Sequence, residues 1–295
     1  MNAHRSIIVA LALAASLSAP SLRAALAQEQ EVPPPQHWSF AGPFGLYDPE
    51  QLQRGFKIYR EVCSTCHSLK LLAFRNLADP GGPGFSEAQA AAIAAGFQVT
   101  DGPNDQGQMY QRPGRIGDHF PSPFPNDQAA RAALGGALPP DMSDLAKGRG
   151  YERGFPWFII DAFTQYQEEG PDYIHALLNG YENPSAGFTL PPGAQYNQYF
   201  PGHAIGMPKP LSDGQVEYTD GTSTTVDQYG RDVAAFLAWA SEPKLDERKR
   251  LGFQVFMYLI VLTGLLYFTK KRIWHEVKHH PELTEPRPPT EYRRS

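Results

Sequence analysis

Residues 61–69 read EVCSTCHSL and contain the only two cysteines of the chain, Cys63 and Cys66, with His67 directly behind them. A chain of 295 residues that staples itself with disulfides needs thiols far apart in sequence, so that a bond closes a long loop. Two thiols three positions apart do something else. A thioredoxin-like dithiol follows a strand and opens a helix, but here a helical pattern precedes the motif. A structural zinc site needs four ligands, and there is no second Cys-x-x-Cys.

The remaining chemistry is covalent haem. Cys-x-x-Cys-His is the attachment signature of c-type haem. Two residues between the cysteines let one turn of backbone present both thiols to the two vinyl groups. The next residue, His67, then offers its imidazole to the iron from the same side. The sixth position decides what the iron can do. An open site permits catalysis or gas binding, whereas a methionine closes it and raises the potential. Met1 falls in the leader and Met257 in an apolar span. Met207 sits in FPGHAIGMPKPL, a loop stiffened by Pro208 and Pro210. Met109 and Met142 remain open on these grounds, as does His203, four residues before Met207, for a bis-histidine site.

Working outward to the termini, MNAHR precedes an apolar run of about 14 residues, too short to span a bilayer, and Ala25-Leu26-Ala27 closes it. This is the form of a secretory signal with cleavage after Ala27. It places the mature chain in an oxidising space outside the cytoplasm. Near the other end, LGFQVFMYLIVLTGLLYFT (251–269) carries no charge. At 1.5 Å per residue it covers about 28 Å, close to the hydrocarbon thickness of a membrane. Basic triplets at 248–250 and 270–272 flank it almost symmetrically, so the signal rather than charge orients it. The predicted organisation is a signal peptide (1–27), a periplasmic haem domain (28–250), a transmembrane helix (251–269) and a cytoplasmic tail (270–295). The whole chain has a formal net charge of −5. The leader carries two positive charges and the tail a net three, which leaves −10 on residues 28–250. So acidic a domain argues against nucleic acid and for basic partners.

Within the domain, helices are predicted from Pro49 into the cysteine motif (Asp48 as N-cap), after a capping box at Ser86–Gln89, and over Asp127–Leu134. Others follow from Pro171 to Gly180 and over 226–241, the last with Tyr229, Val233, Phe236, Leu237 and Ala240 on one face. Gly55 suits close approach of another helix. Residues 101–127 read as one long irregular loop, and Asp220-Gly221 as a hairpin turn between VEYT and TSTTV. Short helices and long loops need something further to fill the core, and a haem would supply it.

Several segments together resemble the cytochrome c1 family: RGFKIYREVCSTCHSL (54–69), FRNL (74–77), PNDQGQMYQRPGR (103–115), GALPPDMSDLAKGR (136–149), YFPGHAIGMPKPL (199–211) and the C-terminal span. The resemblance covers almost all of the predicted mature chain. It implies a mainly α fold, a class I cytochrome c-like haem domain with long loop insertions, plus one C-terminal transmembrane helix. It also implies one covalent haem c on Cys63 and Cys66, with His67 and Met207 as axial ligands. Pro139 and Pro140 would pack on the haem, and Arg149 and Tyr173 would meet a propionate, where a fixed guanidinium makes a charge-assisted pair. Arg112 and Arg115 are the alternatives to Arg149. Some bacterial relatives carry an extra disulfide, which this chain cannot form. Residues 149–170 are longer than in mitochondrial relatives.

The function implied is that of the electron-transfer subunit of ubiquinol:cytochrome c oxidoreductase, the cytochrome bc1 complex of a bacterial inner membrane. It would stand beside a cytochrome b subunit, take an electron from a Rieske iron–sulfur protein and pass it to a soluble, basic, periplasmic c-type cytochrome. No catalytic site of its own is expected. Asp101, Asp105, Glu168, Glu169 and Asp172 are candidate docking acids. One rival is a membrane-anchored cytochrome acting alone or with an oxidase. Another is a peroxidase or nitrite reductase using His203 or His119, against which the methionine loop speaks.

Overall fold

The computed structural model describes residues 31–151, 154–164 and 166–279. The predicted leader and the end of the tail lie outside the described residues. Helix α1 (Pro49–Glu61) starts where the sequence predicts. The Asp48 carboxylate accepts from the Glu50 N–H at 3.0 Å, and Pro49 takes the first turn, where a missing N–H costs nothing. Helix α2 (Glu87–Ala95) opens on the full Ser86–Gln89 capping box. Helices α3 (Asp127–Ala133), α4 (Leu145–Gly148), α5 (Trp157–Thr164) and α6 (Glu169–Asn179) follow, then α7 (Val226–Ser241) and the long α8 (Leu245–His279). Two small antiparallel ladders interrupt them: β1 (Gln98–Asp101) with β2 (Tyr110–Pro113), and β3 (Gln195–Tyr196) with β4 (Ala204–Ile205).

Helix α7 is the axis of the core. It shows a single apolar face in the sequence, yet every residue from Val233 to Ala240 is buried. The reason is that α1 and α6 both pack on it, and Ala234, Ala235 and Ala238 keep the second face low enough for close contact. At the α1 crossing the backbones nearly touch. A Cβ on Gly55 would lie 2.1 Å from the Asp232 carbonyl oxygen and 2.6 Å from the Phe236 Cβ, so only glycine fits there. Beside this crossing, Asp232 is fully buried. It accepts from Arg54 (Nε 3.0 Å, Nη2 3.3 Å), the Tyr218 hydroxyl (2.8 Å) and Gln228 (2.9 Å). A buried carboxylate is tolerated when its lone pairs are met in this way. Around α1 and α7, Phe56, Tyr59, Phe74, Phe97, Phe120 and Phe236 interlock, with ring centroids 4.3–6.1 Å apart.

Two turn expectations are corrected. The segment from 101 is not wholly irregular: it returns through β2, which pairs with β1 in the register Asp101↔Tyr110 to Gln98↔Pro113. No strand flanks Asp220-Gly221 among the described residues. The Asp220 carboxylate instead accepts from the Thr222 N–H and pairs with Arg54 at 3.0 Å. Tyr218 bonds to Asp232, and Val216 exchanges hydrogen bonds with the Tyr229 hydroxyl. The would-be strands spend their polar groups on α1 and α7 rather than on each other.

The chain divides into two compact units, one ending at Asp246 and the other beginning at Glu247. Helix α8 runs on past both ends of the predicted span 251–269. It is long and apolar enough to cross a membrane, and Phe253, Phe256, Leu259, Leu266 and Phe268 are all exposed on it. Helix α5 is a second exposed apolar element. Phe155 just before it and Phe163 within it are 80% and 84% exposed, so these two rings are not spent on the core.

Candidate haem site

The cysteine motif lies where α1 stops. Residues 63–65 form a single 3₁₀ turn, and the Cys63 carbonyl accepts from both the Cys66 N–H (3.1 Å) and the His67 N–H (2.9 Å). The Thr65 hydroxyl donates to the Val62 carbonyl at 2.7 Å and the Ser64 hydroxyl to the Arg60 carbonyl at 2.8 Å. One turn of backbone therefore carries two thiols and an imidazole. Both thiols are free. Burial pushes the Cys63 thiol up to about 12, with Cys66 adding to it. Such a thiol is not poised for disulfide exchange, which needs a thiolate.

His67 is 8% exposed. Its Nδ1 lies 2.9 Å from the Pro140 carbonyl oxygen. That carbonyl can only accept, so Nδ1 carries the proton and Nε2 keeps its lone pair. Burial holds the imidazole below its ordinary titration range, outweighing Pro140 and Asp141, so the neutral, ligating form is favoured. The segment 140–143 is in turn tied to 68–71. The Met142 N–H donates to the Ser68 carbonyl (2.8 Å), and the Asp141 carboxylate accepts from the Lys70 N–H (2.9 Å) and the Ser143 N–H (2.9 Å). The Leu71 N–H donates to the Ser143 hydroxyl (3.0 Å). Burial alone would raise Asp141, but hydrogen bonds from Ser143, Lys70 and Ser68 win and hold it below the usual carboxylate range. Asp141 and Ser143 are the positioning residues that sequence reasoning passed over, although both stand in the PPDMS run (139–143). Pro139 borders a cleft of about 140 Å³ that also touches Cys66, Ser68 and Leu138.

Met207 follows β4. This side chain is half-buried against the core cluster that also includes Tyr173 and Cys63. The Tyr181 hydroxyl donates to the Met207 carbonyl at 3.1 Å. Burial raises the Tyr181 phenol, with Tyr173 adding to the effect. Burial likewise raises Tyr173, and the opposing influence of Arg149 places that guanidinium nearby. Arg149 is exposed and makes no ion pair with a described residue. Arg112, by contrast, is committed to Asp101 and to Asp118 (2.6 Å).

The competing positions read differently. Met109 is 60% exposed in the β1–β2 turn. Met142 is buried two residues from the carbonyl that backs the His67 ring. His119 is an exposed residue bonded to the Lys70 carbonyl at 2.8 Å. His203 stacks on Tyr196, with centroids 5.5 Å apart. Two of the candidate docking acids are corrected: Asp172 and Glu168 are buried. Asp172 accepts from the Trp38 indole (2.8 Å), the Gln36 N–H (2.9 Å) and Tyr166, so it holds the entry segment in place. Asp101 pairs with Arg112, which leaves Asp105 as the fully exposed member of the set and Glu169 partly exposed.

The donor set fits haem c: paired thiols on one turn, a neutral imidazole with a free Nε2, and a thioether in a braced loop. Among the described residues, no three His, Cys, Asp or Glu side chains gather as an alternative metal site.

The model of the Cytochrome C1 family matches residues 38–277. The chain is 59% identical over 275 residues to "Cytochrome b/c1" of Bradyrhizobium diazoefficiens, covering 92% of this chain and 40% of that protein. It is 50% identical over 280 residues to "Cytochrome c1" of Blastochloris viridis (94% and 99% covered). It is 46% identical over 260 residues to "Cytochrome c1" of Rhodospirillum rubrum (83% and 88% covered).

Proposed function

The chain belongs to the cytochrome c1 family, and we propose that it is the membrane-anchored haem subunit of a cytochrome bc1 complex. In this reading it takes one electron from the Rieske iron–sulfur protein and passes it to a soluble, basic, periplasmic c-type cytochrome. Residues 1–27 direct export and are removed, 28–250 lie in the periplasm, 251–269 cross the inner membrane and 270–295 are cytoplasmic.

Cys63 and Cys66 would hold the haem through thioethers, and His67 and Met207 would supply the two protein donors to its iron. Pro139 and Pro140 pack against it, and Arg149 with Tyr173 meets a propionate. The observation that carries the reading is the His67 ring. Its Nδ1 is spent on the Pro140 carbonyl at 2.9 Å, which aims a free Nε2 from the same turn as both thiols. Bound there, haem c supplies a one-electron couple. The chain's part is to fix both ligands, exclude water from the His67 side and hold a negatively charged propionate. Met207 is a soft, neutral donor, which favours a high potential. The acidic domain attracts a basic carrier over distance.

The test is gentle detergent extraction of membranes, a native gel stained for covalent haem, and mass spectrometry of the stained band. A large assembly containing a b-type cytochrome and an iron–sulfur protein is expected. A haem band running alone, or with oxidase subunits, overturns the assignment of partners.

A further inference from the structure

The turn between β3 and β4, which leads through β4 to Met207, is tied down by a fully buried side chain, Asn197. Its Nδ2 donates to the Leu177 carbonyl at 2.7 Å, one of the carbonyls that the last turn of α6 leaves without a full helical partner. Its Oδ1 accepts from the Tyr199 N–H (3.1 Å) and the Phe200 N–H (3.2 Å). The amide thus joins a helix end to the turn between β3 and β4, with each polar atom of the side chain used. Its backbone N–H donates to the His203 carbonyl at 2.9 Å, and the His203 Nδ1 reaches the Asn197 carbonyl at 3.2 Å.

The neighbourhood is built for this joint. A Cβ on Gly180 would come within 2.7 Å of the Tyr199 ring and 3.1 Å of the Asn197 Oδ1, so the loop lies directly on the end of α6. His203 has a φ of +57°, a left-handed backbone that a residue bearing a side chain adopts only when its surroundings hold it there. Its ring is stacked on Tyr196. Three residues, two of them forming β4, separate this imidazole from Met207. Imidazole is a haem-iron ligand in its own right, so two potential donors flank the two-residue strand β4, and the placement of that strand decides between them.

We propose that Asn197 is the positioning residue of the axial site: by clamping the β3–β4 turn to α6 it presents Met207 and keeps His203 turned away against Tyr196. The proposal rests on the reading of Met207 as the sixth ligand. Loss of the clamp frees the loop to slip, and the imidazole then competes with the thioether.

The experiment uses the full chain in its native membranes with Asn197→Ala, Asn197→Asp, Met207→Leu and the double variant Asn197→Ala/His203→Ala. Asn197→Asp keeps the Oδ1 acceptor for Tyr199 and Phe200 but sets a second oxygen against the Leu177 carbonyl in place of the donor, so it breaks the clamp to α6 without emptying the site and stands in if the alanine variant does not accumulate. The readouts are the sulfur-to-iron charge-transfer band of the ferric state, the midpoint potential by equilibrium titration, carbon monoxide binding to the ferrous state, and thermal stability. Expected for Asn197→Ala are a reduced band and a lower potential without carbon monoxide binding. Addition of His203→Ala then opens the site to carbon monoxide. A wild-type band and potential in both Asn197 variants overturn the proposal, whatever happens to stability, because a merely structural asparagine moves stability alone. A band that survives Met207→Leu overturns the underlying ligand assignment as well, and is read independently of Asn197.

Discussion

Asp232→Ala removes a fully buried, four-bonded carboxylate and leaves Arg54, Tyr218 and Gln228 facing a methyl group. Asp232 has no exposed surface, and the Arg54 side chain is 17% exposed. Breaking one side of a buried pair costs about 3–5 kcal/mol, because the surviving charge is left without its partner. Here Arg54 retains Asp220 at 3.0 Å on a more open side, which pulls the figure toward the lower end, while the lost bonds from Tyr218 and Gln228 push it up. A cost of about 3–4 kcal/mol is expected. For a domain of roughly 220 residues each kcal/mol moves Tm by about 2–4 °C, so the midpoint should fall by about 10 °C.

The assay is thermal unfolding followed by far-ultraviolet circular dichroism, with the haem absorption recorded in parallel below the transition. Arg54 stands nine residues before Cys63, about 13 Å along the chain at helical rise, so the native haem spectrum should be unchanged. The double variant Arg54→Met/Asp232→Leu supplies the sharper check. Removing both charges should cost clearly less than the sum of the two single changes, since neither partner is then stranded. Additive single costs, or a loss below about 1 kcal/mol for Asp232→Ala, would refute the reasoning that a satisfied buried carboxylate holds α1 to α7.

Gly55→Val should prevent accumulation of folded holoprotein, measured by haem staining, because its Cβ would overlap the Asp232 carbonyl. His175 is buried, with Nε2 on Asp227 at 2.9 Å and no partner for Nδ1 among the described residues. Burial, outweighing Asp227, holds it below its ordinary range. Its contribution is therefore fully present above the unfolded pKa near about 6.5 and is lost as pH falls through the lower folded value. Thermal midpoints of the wild type should drop on acidification below about 6.5, and His175→Gln should flatten that dependence. Carrier reduction should slow as ionic strength rises, because long-range attraction between charged surfaces is screened; a salt-independent rate in stopped-flow measurements counts against electrostatic steering.

Local signals were the legible part of this chain. Asp48 and Ser86 both act as caps through their side-chain oxygens, and each competes with water only over a few residues, so its role is visible without the fold. Cys63, Cys66 and His67 are equally local, since one turn sets their geometry. Burial of Asp172 and Glu168 was not legible. Acidic side chains in a polar stretch look solvated until the Trp38 indole and the Gln36 N–H arrive from more than 130 residues away. The same holds for VEYT and TSTTV, whose alternation predicts a hairpin. Their polar atoms find Arg54, Tyr229 and Asp232 first, and those partners belong to helices that pattern alone does not place beside them.

The site itself divides along the same line. The His67 half is sequence-local on one side and depends on a single distant segment, 139–143, on the other. The Met207 half is almost wholly tertiary, because α6, β3, β4 and the buried Asn197 must meet before the loop has a register. A chain with no cysteines beyond its haem motif has no covalent means of bracing that loop. Its rigidity must come from hydrogen bonds made in the absence of water, where each unsatisfied partner is costly. Under the proposed ligand assignment, replacing a single amide with every polar atom engaged should therefore register first in the ligand-sensitive band and the potential.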